Sequence, residues 1–142
     1  MNHSKSTVAS ENRYQFVTLL VEDNVAFRHF VRESLNDHFP LMQVEEAGEG
    51  VEAMGKLKSI RPDLIFMDIR LPGENGLDLT RKIKSRDPDL KIIILTSYDF
   101  PEYRETAKRC GADHFIIKGS SSWDEIITII KSISSETGKP VA

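Results

Sequence analysis

Asp63-Leu64-Ile65-Phe66-Met67-Asp68-Ile69-Arg70-Leu71-Pro72-Gly73 is an apolar run of strand length that ends on a carboxylate and passes at once into a Pro/Gly turn. An apolar run without alternation reads as a strand buried on both faces, the kind found in parallel sheets. The turn stops it directly after Asp68. In an open parallel sheet, ligands and chemistry gather outside the carboxyl ends of the strands, so Asp68 is a presented group.

Working outward toward the amino terminus, residues 16–21 form a second β-rich run that ends in Glu22-Asp23-Asn24. In residues 25–38 the apolar Phe27, Phe30, Val31 and Leu35 recur at spacings of three and four, which predicts a helix with one buried face, capped by Asn24 or Asp23. Phe39-Pro40 ends it, and residues 41–47 read as a weaker alternating strand, with Met42, Val44 and Ala47 inward, suited to a sheet edge. After the turn Gly48-Glu49-Gly50, the residues Val51, Met54, Leu57 and Ile60 predict a second helix stopped by Arg61-Pro62.

Toward the carboxyl terminus, residues 76–86 carry Leu77, Leu79 and Ile83 on a third helix, closed by Asp87-Pro88. Residues 90–95 are almost unbroken Ile and Leu, a central strand, and lead into Thr96-Ser97. Pro101 opens a fourth helix that runs to about Arg109 and stops at Gly111. Its apolar residues are mainly Tyr103 and Ala107, so it is expected to be the least firmly held. Residues 113–117 form a fifth strand ending on Lys118, and Ser122 can cap a fifth helix rich in Trp123, Ile126, Ile127, Ile129, Ile130 and Ile133. Five strands alternating with five helices, with connections of crossover length, predict an α/β fold: a doubly wound five-stranded parallel sheet with helices on both faces. The domain is expected to occupy residues 14–134, between a polar amino-terminal tail at 1–13 and a polar carboxyl-terminal tail, or the start of a linker, at 135–142.

Composition narrows the function. At 142 residues, 39% apolar and 29% charged, the chain suits one ordinary domain whose core needs no disulfide. The net charge of -3 and the scattering of 19 Lys and Arg provide no basic field for nucleic acid, so direct binding to it is not expected. Cys110 is the single cysteine, which fits a reducing compartment, and no apolar run reaches membrane-spanning length. A cytoplasmic protein with no membrane partner is expected.

Every strand except the second ends on a residue capable of chemistry: Glu22 and Asp23, Asp68, Thr96, Lys118. A parallel sheet brings those ends to one edge. Acids gathered within a few Å repel one another unless a hard cation sits among them, which predicts a Mg2+ or Mn2+ site. Such an ion keeps positions free for phosphoryl oxygens, and Lys118 and Thr96 would hold the remaining ones.

With these residues in place, the chain resembles response-regulator receiver domains of the CheY-like superfamily, a flavodoxin-like fold, from Tyr14 to Ile133. The resemblance implies that Asp68 is the phosphoacceptor, with Asp23 as direct metal ligand. Glu22 would act on the ion largely through water, and the Arg70 backbone carbonyl would be a third protein ligand. It further implies Thr96 as switch hydroxyl, Lys118 as phosphate-binding lysine, and Phe115 as the aromatic whose rotamer follows phosphorylation. Arg70 and Tyr98, two positions after acceptor and switch, would flank the hydrolytic water and set the lifetime of the phosphoryl group. Pro72 and Gly76 match the turn after the acceptor. The implied partners are a sensor histidine kinase or phosphotransfer protein, a downstream effector domain or protein, and a second copy in a homodimer. The implied activity is Mg2+-dependent self-phosphorylation and autodephosphorylation, not enzymatic turnover of a substrate. Two positions depart from the pattern. Glu22 stands where Asp is commoner, and Gly119 stands where many receivers have Pro, so a cis peptide after the lysine is not to be assumed.

Other readings are weighed against this one. An aspartyl-phosphate phosphatase of the haloacid-dehalogenase type would place a second acid two residues after its nucleophile, where this chain has Arg70. A nucleotide or flavin binder would want a Gly- or hydroxyl-rich loop after the first strand, where Glu22-Asp23-Asn24 repels phosphate. A degenerate receiver acting only as a binding module is the remaining alternative. Glu22 and Asp23 could simply cap a helix, Thr96 could end a strand, and Phe115 could be core. His29, His38 and His114 show no metal-ligand spacing, Cys110 reads as a small packed residue, and the Trp123 helix is expected to contribute to an interface.

Overall fold

The computed structural model describes residues 14–119 and 123–142. The tail expected at 1–13 and the cap expected at Ser122 lie outside them. Five strands, β1 (Val17–Val21), β2 (Gln43–Ala47), β3 (Leu64–Met67), β4 (Lys91–Thr96) and β5 (His114–Ile117), form one parallel sheet in the order β2-β1-β3-β4-β5. The helices between and after them are α1 (Val25–His38), α2 (Gly50–Lys56), α3 (Gly76–Arg86), α4 (Pro101–Cys110) and α5 (Trp123–Thr137). This is the expected doubly wound, flavodoxin-like sheet.

Apolar continuity puts β1 and β3 in the middle: all of their residues are buried. Successive side chains point to opposite faces, so each strand feeds two cores. Leu20, Leu64, Phe66, Ile93 and Leu95 pack with Val31 and Leu35 of α1 and with Ile126, Ile130 and Ile133 of α5. Leu19, Val21, Ile65, Met67, Ile92 and Ile94 pack with Ala53 of α2, Leu79 and Ile83 of α3, and Ala107 and Cys110 of α4. At about 1.5–3 kcal/mol for each fully buried Leu or Ile, the two layers supply the main stabilisation. Carboxylates tie down the opposite edge of the sheet: Asp63 accepts the Val17 N–H and Asp113 accepts the Ile92 N–H, each at 2.9 Å.

Several local expectations shift. Val51, expected on the buried face of α2, is 80% exposed, because the inward line of that helix is Gly50, Ala53, Met54 and Leu57. Met54, Leu57 and Ile60, expected beside it, do pack against that core. The helix also ends at Lys56, short of Ile60. Phe30 is 56% exposed, since the first turns of α1 stand over a groove beside α5. Helix α4 is attached through two small buried residues, Ala107 and Cys110, with Gly111 at φ +97 as its stop.

The polar tail expected from Ser135 is instead built into the fold. Helix α5 continues to Thr137, and Gly138 at φ +72 turns the chain. Lys139 then reaches Asp63 at 2.9 Å, Leu41 donates its N–H to the Val141 carbonyl at 3.0 Å, and Val141 is 6% exposed in the α1–α5 core.

Candidate functional site

Three site residues are placed by a sheet hydrogen bond just past a strand end; Asp23 follows Glu22 directly, and Thr96 is the last residue of β4. The Glu22 N–H bonds the Ala47 carbonyl at 2.9 Å, Asp68 that of Val21 at 3.1 Å, and Lys118 that of Thr96 at 2.8 Å. Glu22, Asp23, Asp68, Thr96 and Lys118 therefore share one edge. Glu22 and Asp68 are 2% and 6% exposed, Thr96 is fully buried, and Asp23 is exposed.

The three carboxylates each offer an oxygen, and these oxygens lie within 4.8 Å of one another. The Lys118 ammonium stands 2.6 Å from Glu22 Oε1 and 3.1 Å from Asp68 Oδ2. Glu22 Oε2 accepts the Asn24 N–H at 3.0 Å and Asp68 Oδ1 accepts the Ile69 N–H at 2.8 Å. Burial pushes the Glu22 carboxyl upward, outweighing the Lys118 and Asn24 hydrogen bonds that pull it down, and the neighbouring Asp68 charge pushes the same way. Burial likewise pushes Lys118 downward, but the hydrogen bond to Glu22 and the charges of Asp68 and Glu22 win, and its net shift is upward. One ammonium cannot balance three carboxylates, and an all-oxygen donor set that remains under-neutralised fits a hard divalent cation of the Mg2+ type.

The surrounding chain fixes this edge. Asn24 caps α1 by accepting the Phe27 N–H at 2.9 Å. Arg28 donates to the Glu22 carbonyl at 2.7 Å and pairs with Glu46 at 2.9 Å, and Arg32 also pairs with Glu46. At the start of α3, the Gly76 N–H bonds the Ile69 carbonyl at 2.7 Å, and a Cβ on Gly76 would fall 1.8 Å from the Asp68 carbonyl oxygen. Only glycine permits that approach.

The other expected residues lie around the acids. Thr96 Oγ1 accepts the Tyr98 N–H at 3.3 Å. The Arg70 guanidinium lies over the Tyr98 ring, 4.3 Å from its centroid. Phe115 is half-buried on the α4 side of the sheet, paired with Ile94 and covered by the Arg104 guanidinium at 4.7 Å. It is therefore apart from the carboxylates. Among the described residues no peptide bond is cis, and Gly119 takes φ +78. Reading the sequence missed Arg28, which carried no signal beyond its charge, and Phe27, whose helical spacing marked it only as core. The Lys118 ammonium lies over the Phe27 ring, 4.5 Å from its centroid.

With this geometry established, comparison with known proteins is specific. The family model "Response regulator receiver domain" matches residues 18–131. The chain is 39% identical over 99 residues to the DNA-binding transcriptional activator DevR/DosR of Mycobacterium tuberculosis, covering 70% of this chain and 46% of that protein. It is 34% identical over 116 residues to the oxygen regulatory protein NreC of Staphylococcus carnosus, covering 81% and 53%. It is 39% identical over 100 residues to the chemotaxis protein CheY of Halobacterium salinarum, covering 70% and 82%. The chain thus spans about half the length of the first two relatives. Among solved structures it is similar to a CheY-like receiver domain protein from Methanospirillum hungatei, with TM-score 0.78 and 26% identity, covering 87% of this chain and 97% of that one. It is also similar to the response regulator TrrA of Thermotoga maritima in complex with Mg2+ and BeF, with TM-score 0.73 and 30% identity, covering 84% and 99%. No described helix is long and apolar enough to cross a membrane. The two-sided parallel sheet, the acid cluster at its carboxyl edge and the match over residues 18–131 lead to one conclusion: the chain belongs to the response regulator receiver family and is the receiver domain of a two-component response regulator.

Proposed function

We propose that Asp68 accepts a phosphoryl group from the phosphohistidine of a sensor kinase or phosphotransfer protein, and that the resulting change of the face formed by α4, β5 and α5 signals to an effector domain or protein. The observation that carries this reading is the acid cluster bridged by Lys118. A carboxylate oxygen of Asp68 forms the new P–O bond while the P–N bond breaks and its electron pair leaves with the donor imidazole. The Lys118 ammonium, already 3.1 Å from Asp68 Oδ2, neutralises the incoming oxygens, and Thr96, at the end of the neighbouring strand, offers them its hydroxyl.

Asp23 and Asp68, with Glu22 behind them and the Arg70 carbonyl as a further oxygen, would hold Mg2+ or Mn2+. That ion supplies charge neutralisation for the phosphoryl oxygens. Phosphorylation adds about −1.5 to −2 charge at Asp68. Thr96 would move toward it, and Phe115 and the weakly attached α4 would respond, so that the face formed by α4, β5 and α5 reports the modification. The chain acts as a cytoplasmic signalling module whose own chemistry ends at phosphoryl uptake and loss.

Incubation with acetyl phosphate and Mg2+ is expected to leave a base-labile, hydroxylamine-sensitive acyl phosphate on Asp68. Asp68→Asn and chelation should each abolish it. Labelling that survives either change would overturn the reading, and binding of a partner without any labelling would favour a degenerate receiver.

A further inference from the structure

Among the described residues, the Lys118 ammonium has three partners of two kinds. Glu22 Oε1 and Asp68 Oδ2 attract it by charge, at 2.6 and 3.1 Å, and the Phe27 ring lies beneath it at 4.5 Å. On the carboxyl-terminal side Gly119 takes φ +78, and a Cβ there would meet nothing within 4 Å among the described residues. Both carboxylates belong to the cluster suited to a divalent cation, so their pull on the lysine changes whenever a cation or a phosphoryl group engages them. The ring's attraction comes from its quadrupole, which neither titrates nor binds the cation in competition.

The placement of Phe27 is itself fixed. Its N–H is held by the Asn24 side chain at 2.9 Å, in the first turn after Glu22 and Asp23. Its ring forms part of the wall of an apolar groove of about 310 Å³ between α1 and α5, which Lys118 and Gly119 also line. We infer that Phe27 is the positioning residue for Lys118, holding the ammonium over the site when its carboxylate partners are engaged elsewhere. The inference rests on the proposed role of Lys118 in neutralising the phosphoryl group, but the contact exists in the unmodified chain and is testable without it.

The unmodified protein should show the Lys118 methylene protons next to the ammonium shifted upfield by the ring current of Phe27. Phe27→Leu, which keeps an apolar filler, should remove that shift, and Phe27→Trp should keep it. In saturating Mg2+, beryllofluoride affinity should fall about five-fold in the leucine variant, the size expected for a partly buried cation–π contact, and recover to within about two-fold in the tryptophan variant. A mere packing role would lower stability in the leucine variant and leave its beryllofluoride affinity at the parental value, which overturns the proposal, as does a tryptophan variant as deficient as the leucine one. Absence of the shift in the parent overturns it directly. If the parent fails to bind beryllofluoride, the phosphoryl reading fails, and the positioning role is then decided by the parental proton shift, which should persist when Mg2+ saturates the carboxylates and whose loss there overturns it.

Discussion

Lys118 and Glu22 form an ion pair at 2.6 Å in which the carboxylate is 2% exposed, so the ammonium acts as an internal counterion for a buried charge. Removing it should expose how much of the fold depends on that balance. Breaking a buried pair typically costs 3–5 kcal/mol. Lys118→Met is expected to destabilise the metal-free protein by about 3 kcal/mol at pH 7, with much of the loss restored by Mg2+.

The pH dependence has a definite sign. Glu22 is raised above its ordinary 4.5, so its ionisation disfavours the folded state as pH climbs past 4.5, and acidification into that window should shrink the deficit of the variant. In the parent, Lys118 is raised above 10.5; its contribution is complete below 10.5 and is lost as pH rises through the higher folded value. Urea titrations across pH, with and without Mg2+, check both statements.

The second expectation concerns Gly76, where an added Cβ would meet the Asp68 carbonyl oxygen at 1.8 Å. Gly76→Ala must move either α3 or the strand end that carries Asp68, and should cost about 3 kcal/mol or more, with loss of phosphorylation. Gly55→Ala is the contrast. That glycine lies inside α2 with nothing within 4 Å of an added Cβ, and alanine should stabilise by about 0.5–1 kcal/mol. Equilibrium unfolding of the two variants is the measurement.

Arg70 and Tyr98 are stacked at 4.3 Å, so they should act on phosphoryl lifetime as one unit. Arg70→Ala and Tyr98→Ala are each expected to speed loss of the phosphate by about two- to five-fold, in line with one cation–π contact. The double variant should be hardly faster than either single one, because each alone dissolves the pair. Decay of purified phosphoprotein gives the rates. Additive effects, or no acceleration, would count against a shared role.

Val141 should matter although it is the next-to-last residue of the chain. It is buried beside Leu41, whose N–H bonds its carbonyl. Val141→Ala is expected to cost about 1.5 kcal/mol from the lost methyl groups. Removal of residues 139–142 should cost about 3 kcal/mol, since the ion pair of Lys139 with Asp63 is lost as well. Thermal unfolding checks this, and a dispensable tail would leave the midpoint unchanged.

How far the sequence reaches can be judged from particular residues. The run Leu64–Met67 closed by Asp68 identified a central strand because burial on both faces leaves no polar position, and only a parallel sheet covers both faces. The turn residues Pro72, Pro101 and Gly111 then set the spacing of the elements, since their backbone constraints are local. Val51 was misread because it lies in the first turn of a seven-residue helix, where apolar spacing does not show that Gly50 and Ala53, and not Val51, turn inward.

The sequence by itself determined the parallel alternation of strands and helices, and that Glu22, Asp23, Asp68, Thr96 and Lys118 share an edge. These follow from local pattern and from the direction of parallel strands, which hold wherever the strands lie. Only the tertiary structure decided that Lys118 pairs with both Glu22 and Asp68, that its ammonium rests on Phe27, that Gly76 touches the acceptor backbone, and that Val141 returns to the core. Each of those contacts joins residues whose separation in the chain carries no periodic signal, and their distances depend on how the layers pack.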